Sequence, residues 1–200
     1  MATPTTAAVR PAMIWPAIGA VLASATAVVT SFLPWLGFRS DLGIPWSFTG
    51  TGRVVVAGHA FSDASNHYSD ILGDGLRDQG IATALLAAAA MVAIIVGFVW
   101  RSVVPVAIAA TALIATTVIT AAVWIRPPLL AGDLLPQIGA SSMPAEIFDV
   151  RSGLVVTCVA AAIAAALVLL RIRQSWPALF AAVIGGGAIG ALALVIAAAV

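Results

Sequence analysis

The sequence predicts an all-α membrane protein, a bundle of five transmembrane helices with two longer segments outside the bilayer. Three observations carry that expectation. Of 200 residues, 62% are apolar and 8% charged, against roughly 45–50% and about 25% in soluble domains. Five apolar runs approach 20 residues, the length that crosses about 30 Å of hydrocarbon. Every charged residue falls between or beyond those runs.

The first span is expected over Met13–Pro34. Arg10 followed by Ala23-Ser24-Ala25 mimics a signal peptide with its cleavage site, but the apolar run continues through Leu33, which favours a retained span. The second and third spans, Gly80–Trp100 and Val103–Ile125, are separated only by Arg101-Ser102. An apolar stretch of that combined length exceeds one bilayer, so the chain turns at the arginine and forms an antiparallel hairpin. The fourth and fifth spans, Gly153–Leu170 and Pro177–Ala199, are joined through Arg171 and Arg173. Pro16, Pro105 and Pro177 lie near span starts, where a missing N–H is tolerated.

Orientation follows from the arginines, since the chain contains no lysine. Basic residues beside span ends stay on the cytoplasmic side. With the N-terminus inside, Arg10, Arg101, Arg171 and Arg173 are cytoplasmic with no acid beside them, and the C-terminus is outside. The extracytoplasmic segments, 35–79 and 126–152, then hold five arginines and all eight acids. Tryptophan placement agrees: Trp35 and Trp124 stand at outward exits, Trp15, Trp100 and Trp176 at the cytoplasmic boundary. An indole ring with one N–H suits the headgroup interface, so all five are read as anchors.

The spans contain no Asp, Glu, Arg, Lys or His. Intramembrane ionisable groups mark proton relays and ion sites, so a proton-coupled carrier working alone is disfavoured. Thr111, Thr116, Thr117, Thr120 and Thr157 are expected to return their hydroxyls to their own helices. The single cysteine, Cys158, excludes an internal disulfide and reads as a small core residue. Gly186 and Gly190 form a GxxxG pair, which lets helix backbones approach closely, within the bundle or with a second protein.

In the first outer segment, Ile44–Phe48 and Arg53–Val56 flank Thr49-Gly50-Thr51-Gly52, the pattern of a short β-hairpin. Further on, His59, Asp63, His67, Asp70 and Asp74 fall within an arc of about 80° at helical stride. His59, Asp63 and His67 are the candidate metal ligands. Phe61, Ala64, Tyr68, Ile71 and Leu72 lie on the other side, which favours an amphipathic helix at the membrane surface with a solvated His/Asp face. The second segment is proline-rich, with a short turn expected over Ala145–Val150.

Several features together resemble the small multi-pass membrane proteins of actinobacteria. They are Leu33-Pro34-Trp35 at the end of span one, Gly73-Asp74-Gly75 before span two, the arginine-hinged hairpin and the Arg171–Pro177 connection. Such proteins usually have four spans, so the glycine-rich fifth is a departure. The resemblance implies no activity, substrate or catalytic residue.

Function is therefore expected from class alone. Charge-free helices with small-residue faces favour a non-catalytic accessory or scaffold subunit of an envelope complex in the plasma membrane, without cofactor. Its partners would be lipids and other membrane subunits, or a second copy. A net charge of +1 offers nothing to nucleic acid. The alternatives are a small transporter or channel component for an apolar or lipidic substrate, then a membrane enzyme with an outward site at His59 and His67. Cysteines introduced at Ser102 and Ser141 are expected to be labelled from opposite sides of the membrane; labelling from one side would overturn the topology.

Overall fold

The computed structural model describes residues 14–72, 76, 79–131, 134–137, 147–173 and 175–199. Four helices are long and apolar enough to cross a membrane: α3 (Gln79–Val99), α4 (Val103–Ile125), α7 (Ser152–Ile172) and α8 (Trp176–Ala199). They mark the chain as a membrane protein. A shorter apolar helix, α1 (Ile14–Thr30), stands beside them. Its 17 residues rise about 26 Å at 1.5 Å each, close to the lower limit for a span.

Helices α1, α3, α4 and α7 close a four-membered ring, each packed against two of the others. Alanine makes this possible: Ala20, Ala27, Ala87, Ala90, Ala109, Ala110, Ala161 and Ala164 are all buried between helices. Short side chains bring backbones together, the main source of helix association where lipid offers no hydrophobic drive. Two hydroxyl pairs tie the ring: Thr30 Oγ1 to Thr157 Oγ1 at 2.8 Å, and Ser31 Oγ to Thr83 Oγ1 at 3.3 Å. Thr111, Thr116, Thr117 and Thr120 return their hydroxyls to carbonyls four residues earlier. Cys158 is buried and unpaired.

The fifth long element, α8, lies outside the ring along α4, and the two run parallel. A Cβ at Gly186 would come within 2.7 Å of Ile114 Cβ and of the Thr111 carbonyl; one at Gly190 would come within 2.8 Å of Val118 Cβ. Both glycines therefore face α4 within this chain.

The all-α expectation is corrected at the other end of the bundle. The two long inter-helix segments meet there in a four-stranded antiparallel sheet of order β3-β2-β1-β4. Its strands are β1 (Pro34–Phe38), β2 (Trp46–Thr49), β3 (Val54–Val56) and β4 (Phe148–Val150). The hairpin read from sequence is the β2–β3 pair, with Trp46 opposite Val56 and Phe48 opposite Val54. The flanking strands were not expected. The first apolar helix thus ends at Thr30, short of the Pro34 expected, because Ser31–Leu33 turn into β1 and the residue before a proline disfavours helix. Residues 148–150, read as part of a turn, form β4 because β1 supplies partners for them; residues 141–146 lie outside the described residues. Helix α2 (Asp63–Leu72) covers β3, and two single turns, α5 (Pro128–Ala131) and α6 (Leu134–Gln137), follow α4.

A paired substitution tests the seat of α8. Gly186→Leu is expected to overpack the α4 contact and cost about 1–3 kcal/mol, whereas a Cβ at neighbouring Gly187 meets nothing within 4 Å, so Gly187→Leu is expected to be near neutral. Thermal melts of both variants in detergent check this; equal melting temperatures would remove α8 from α4.

Candidate functional site

The sheet end holds the surface with the most varied chemistry, and its construction starts at Trp35. A bulge between Pro34 and Leu36 gives β1 one residue more than β2, so Trp35 is left unpaired in that ladder. Bulges re-aim side chains. Here both Trp35 and Leu36 are fully buried, and the indole Nε1 donates 3.1 Å to the Thr30 carbonyl at the end of α1. Trp35 is thus corrected from an interface anchor to the joint between bundle and sheet. Trp15, Trp100, Trp124 and Trp176 stay exposed at helix ends.

Beyond the joint, the cap has an aromatic core. Phe38 stacks on Phe148 at 5.4 Å between centroids and meets the edge of Phe48 at 5.5 Å. Trp46 packs on Tyr68 of α2 at 4.6 Å. Leu72, Leu76, Leu130 and Leu134 close the cluster, so both long segments contribute to one core.

Helix α2 is fastened to the sheet by hydroxyls. Ser65 Oγ accepts from the Val56 N–H at 2.9 Å, and Ser69 Oγ from the Val54 N–H at 3.0 Å. These backbone donors belong to the outer edge of β3, which would otherwise offer a template for another strand. Ser65 Oγ also donates to the His59 carbonyl at 2.6 Å and Ser69 Oγ to the Ser65 carbonyl at 2.7 Å. A Ser-x-x-x-Ser spacing within a helix next to a predicted edge strand was the available sequence signal, though far from a specific one.

The docked side of α2 therefore differs from the apolar side expected. Ser65, Tyr68, Ser69 and Leu72 face the sheet, while Phe61, Ala64 and Ile71 are exposed. His59, Asp63, His67 and Asp70 are exposed too, and among the described residues no three His, Cys, Asp or Glu side chains gather as a metal cluster. Asp74 lies outside the described residues. The charged groups make local contacts: Arg39 pairs with Asp41 at 2.8 Å on the surface, Arg53 donates to Asn66 at 2.9 Å and stands 5.2 Å from the Phe61 ring centre, and Arg151 donates to the Phe38 carbonyl at 3.2 Å. An exposed pair such as Arg39–Asp41 contributes little, about 0–1 kcal/mol.

The opposite end has a simpler character. Arg171 donates to the Gly97 carbonyl at the C-terminal end of α3 at 3.3 Å and lies 5.5 Å from the Phe98 ring centre. Beside it an apolar cleft of about 310 Å³ opens between α1, α3 and α7.

No family model matches the chain, and no curated protein or solved structure matches it either.

The fastening of α2 is directly testable. Ser65→Ala with Ser69→Ala leaves two edge N–H groups without partners, at a cost of about 1–3 kcal/mol each. Faster hydrogen exchange at the Val54 and Val56 amides is expected. His59→Ala with His67→Ala is expected to change stability by no more than about 0.5 kcal/mol. One equivalent of zinc in the purified protein, lost in the double-histidine variant, would reverse that assignment.

Proposed function

We propose that the protein is a non-catalytic accessory or scaffold subunit of a larger complex in the bacterial plasma membrane. In this reading α1 is a fifth span, the N-terminus is cytoplasmic, and the sheet end stands outside. The distribution of arginines supports that orientation: Arg101, Arg171 and Arg173 crowd one end of the helices, and every acid belongs to the segments at the other.

The observation that carries the scaffold reading is the cap itself. Two segments with α3 and α4 between them in sequence fold into one sheet on top of the bundle, anchored by buried aromatic rings. Such a platform holds its outer surface in fixed geometry, which suits recognition of a partner. Phe61 is 82% and Ile71 55% exposed, and both stand apart from the cap's own core. Apolar side chains displayed on a rigid support are the usual anchors of protein contacts.

Cross-linking in native membranes, followed by purification in mild detergent, tests the reading. A discrete complex is expected, and Phe61→Ser with Ile71→Ser is expected to lower its yield while the variant melts within a few degrees of the parent. A purified protein that stays monomeric and moves a solute or a labelled lipid across liposomes would overturn the scaffold in favour of a transporter or channel component.

A further inference from the structure

We propose that the arginine end of the bundle binds one anionic phospholipid, with the phosphate held by Arg171 and Arg173 and an acyl chain seated in the cleft between α1, α3 and α7. This goes beyond the scaffold reading and does not depend on it.

The cleft exists because α1 presents Pro16, Ala17 and Ala20 where larger residues would fill the space against Ile94 and Leu167. A separate groove of about 220 Å³ lies next to it between α1 and α3, and Ala17 and Ile94 line both. That groove is walled by aliphatic side chains and Phe98. Helix α8 covers α4 instead, on another side of the ring, and among the described residues no helix covers the α1–α3 groove. An apolar cleft at the end of a membrane bundle matches an alkyl chain and offers nothing to a free inorganic ion.

The mouth supplies the opposite chemistry. Arg171 and Arg173 both line the cleft. The Gly97 carbonyl and the Phe98 ring fix the Arg171 guanidinium and leave most of its five N–H donors free for a phosphate. Arg101 adds a third positive charge in the α3–α4 turn, and no acidic residue occurs in either turn at this end. Basic pockets between membrane helices recognise anionic headgroups, each arginine contributing about 1 kcal/mol near the surface. Charge at the mouth and alkyl-compatible walls behind it select a lipid that carries both.

Native mass spectrometry of the full chain, released from nonionic detergent with dioleoylphosphatidylglycerol or dioleoylphosphatidylcholine, tests the site with acyl chains held constant. One phosphatidylglycerol is expected to be retained, at least about tenfold more tightly than phosphatidylcholine. Arg171→Gln and Arg173→Gln are each expected to weaken it about fivefold. Ala17→Phe fills the cleft without altering charge and is expected to abolish the preference. Arg173 is exposed, so its variant folds even if loss of the Arg171 contact to α3 does not allow that one to; phosphatidylglycerol should then raise the melting temperature of the parent more than that of Arg173→Gln. Equal retention of the two lipids would overturn the proposal. So would binding unaffected by Ala17→Phe, or an equal loss in Arg101→Gln, which would mean diffuse attraction to a basic surface.

Discussion

Three helices of the ring end against one stretch of chain, and the rest of the structure depends on how that junction is satisfied. The Thr30 carbonyl at the end of α1 accepts from the Trp35 indole. The Gly80 N–H at the start of α3 donates 2.7 Å to the Gly50 carbonyl, and the Arg151 N–H just before α7 donates 2.8 Å to the Trp35 carbonyl. Helix ends carry backbone groups without intrahelical partners, and burying them unpaired costs free energy comparable to a lost hydrogen bond. The cap supplies those partners. Close approach is part of the arrangement: a Cβ at Gly50 would meet the Trp35 ring at 2.5 Å and the Ser31 carbonyl at 2.6 Å, and one at Gly80 would collide with the Gly50 backbone.

With the junction fixed, the two ends of the molecule diverge. At the sheet end, aromatic packing and hydroxyl-to-backbone bonds make a folded layer whose outer strand edge is covered by α2. At the arginine end, the described residues form short turns that carry Arg101, Arg171 and Arg173, beside a cleft lined by the helices of the ring. The helices between them carry no charge except Arg171 in the last turn of α7 and are held by alanine contacts with two hydroxyl pairs. Interhelical hydrogen bonds of this kind average only about 0.6 kcal/mol in membranes, so close packing carries most of the association.

The helix α8 shows how a short motif acquires meaning from its neighbour. GxxxG permits close approach but does not choose the partner. The structure chooses α4, whose Thr111, Ile114 and Val118 occupy the space that side chains at Gly186 and Gly190 would need. The remaining faces of α8 stay exposed, with Ile184, Val195 and Phe180 pointing away from the protein, as suits a helix that meets lipid over most of its surface.

The sequence by itself determined where the long apolar helices run, where the arginines interrupt them and that Trp46–Val56 forms a hairpin, because hydropathy and turn chemistry are local properties of consecutive residues. The tertiary structure decided what depends on residues far apart. Phe148–Val150 becomes a strand only because Leu36–Phe38 lies beside it. Trp35 is buried, not exposed at a helix end, in a strand where a bulge sets its placement. Ser65 and Ser69 became the docked side of α2 because β3 had unpaired N–H groups to satisfy, while Phe61 and Ile71, the better apolar anchors by composition, were left outside. In each case the identity of the partner is set only once the chain has folded; at α2 the sequence offered no more than the Ser-x-x-x-Ser spacing.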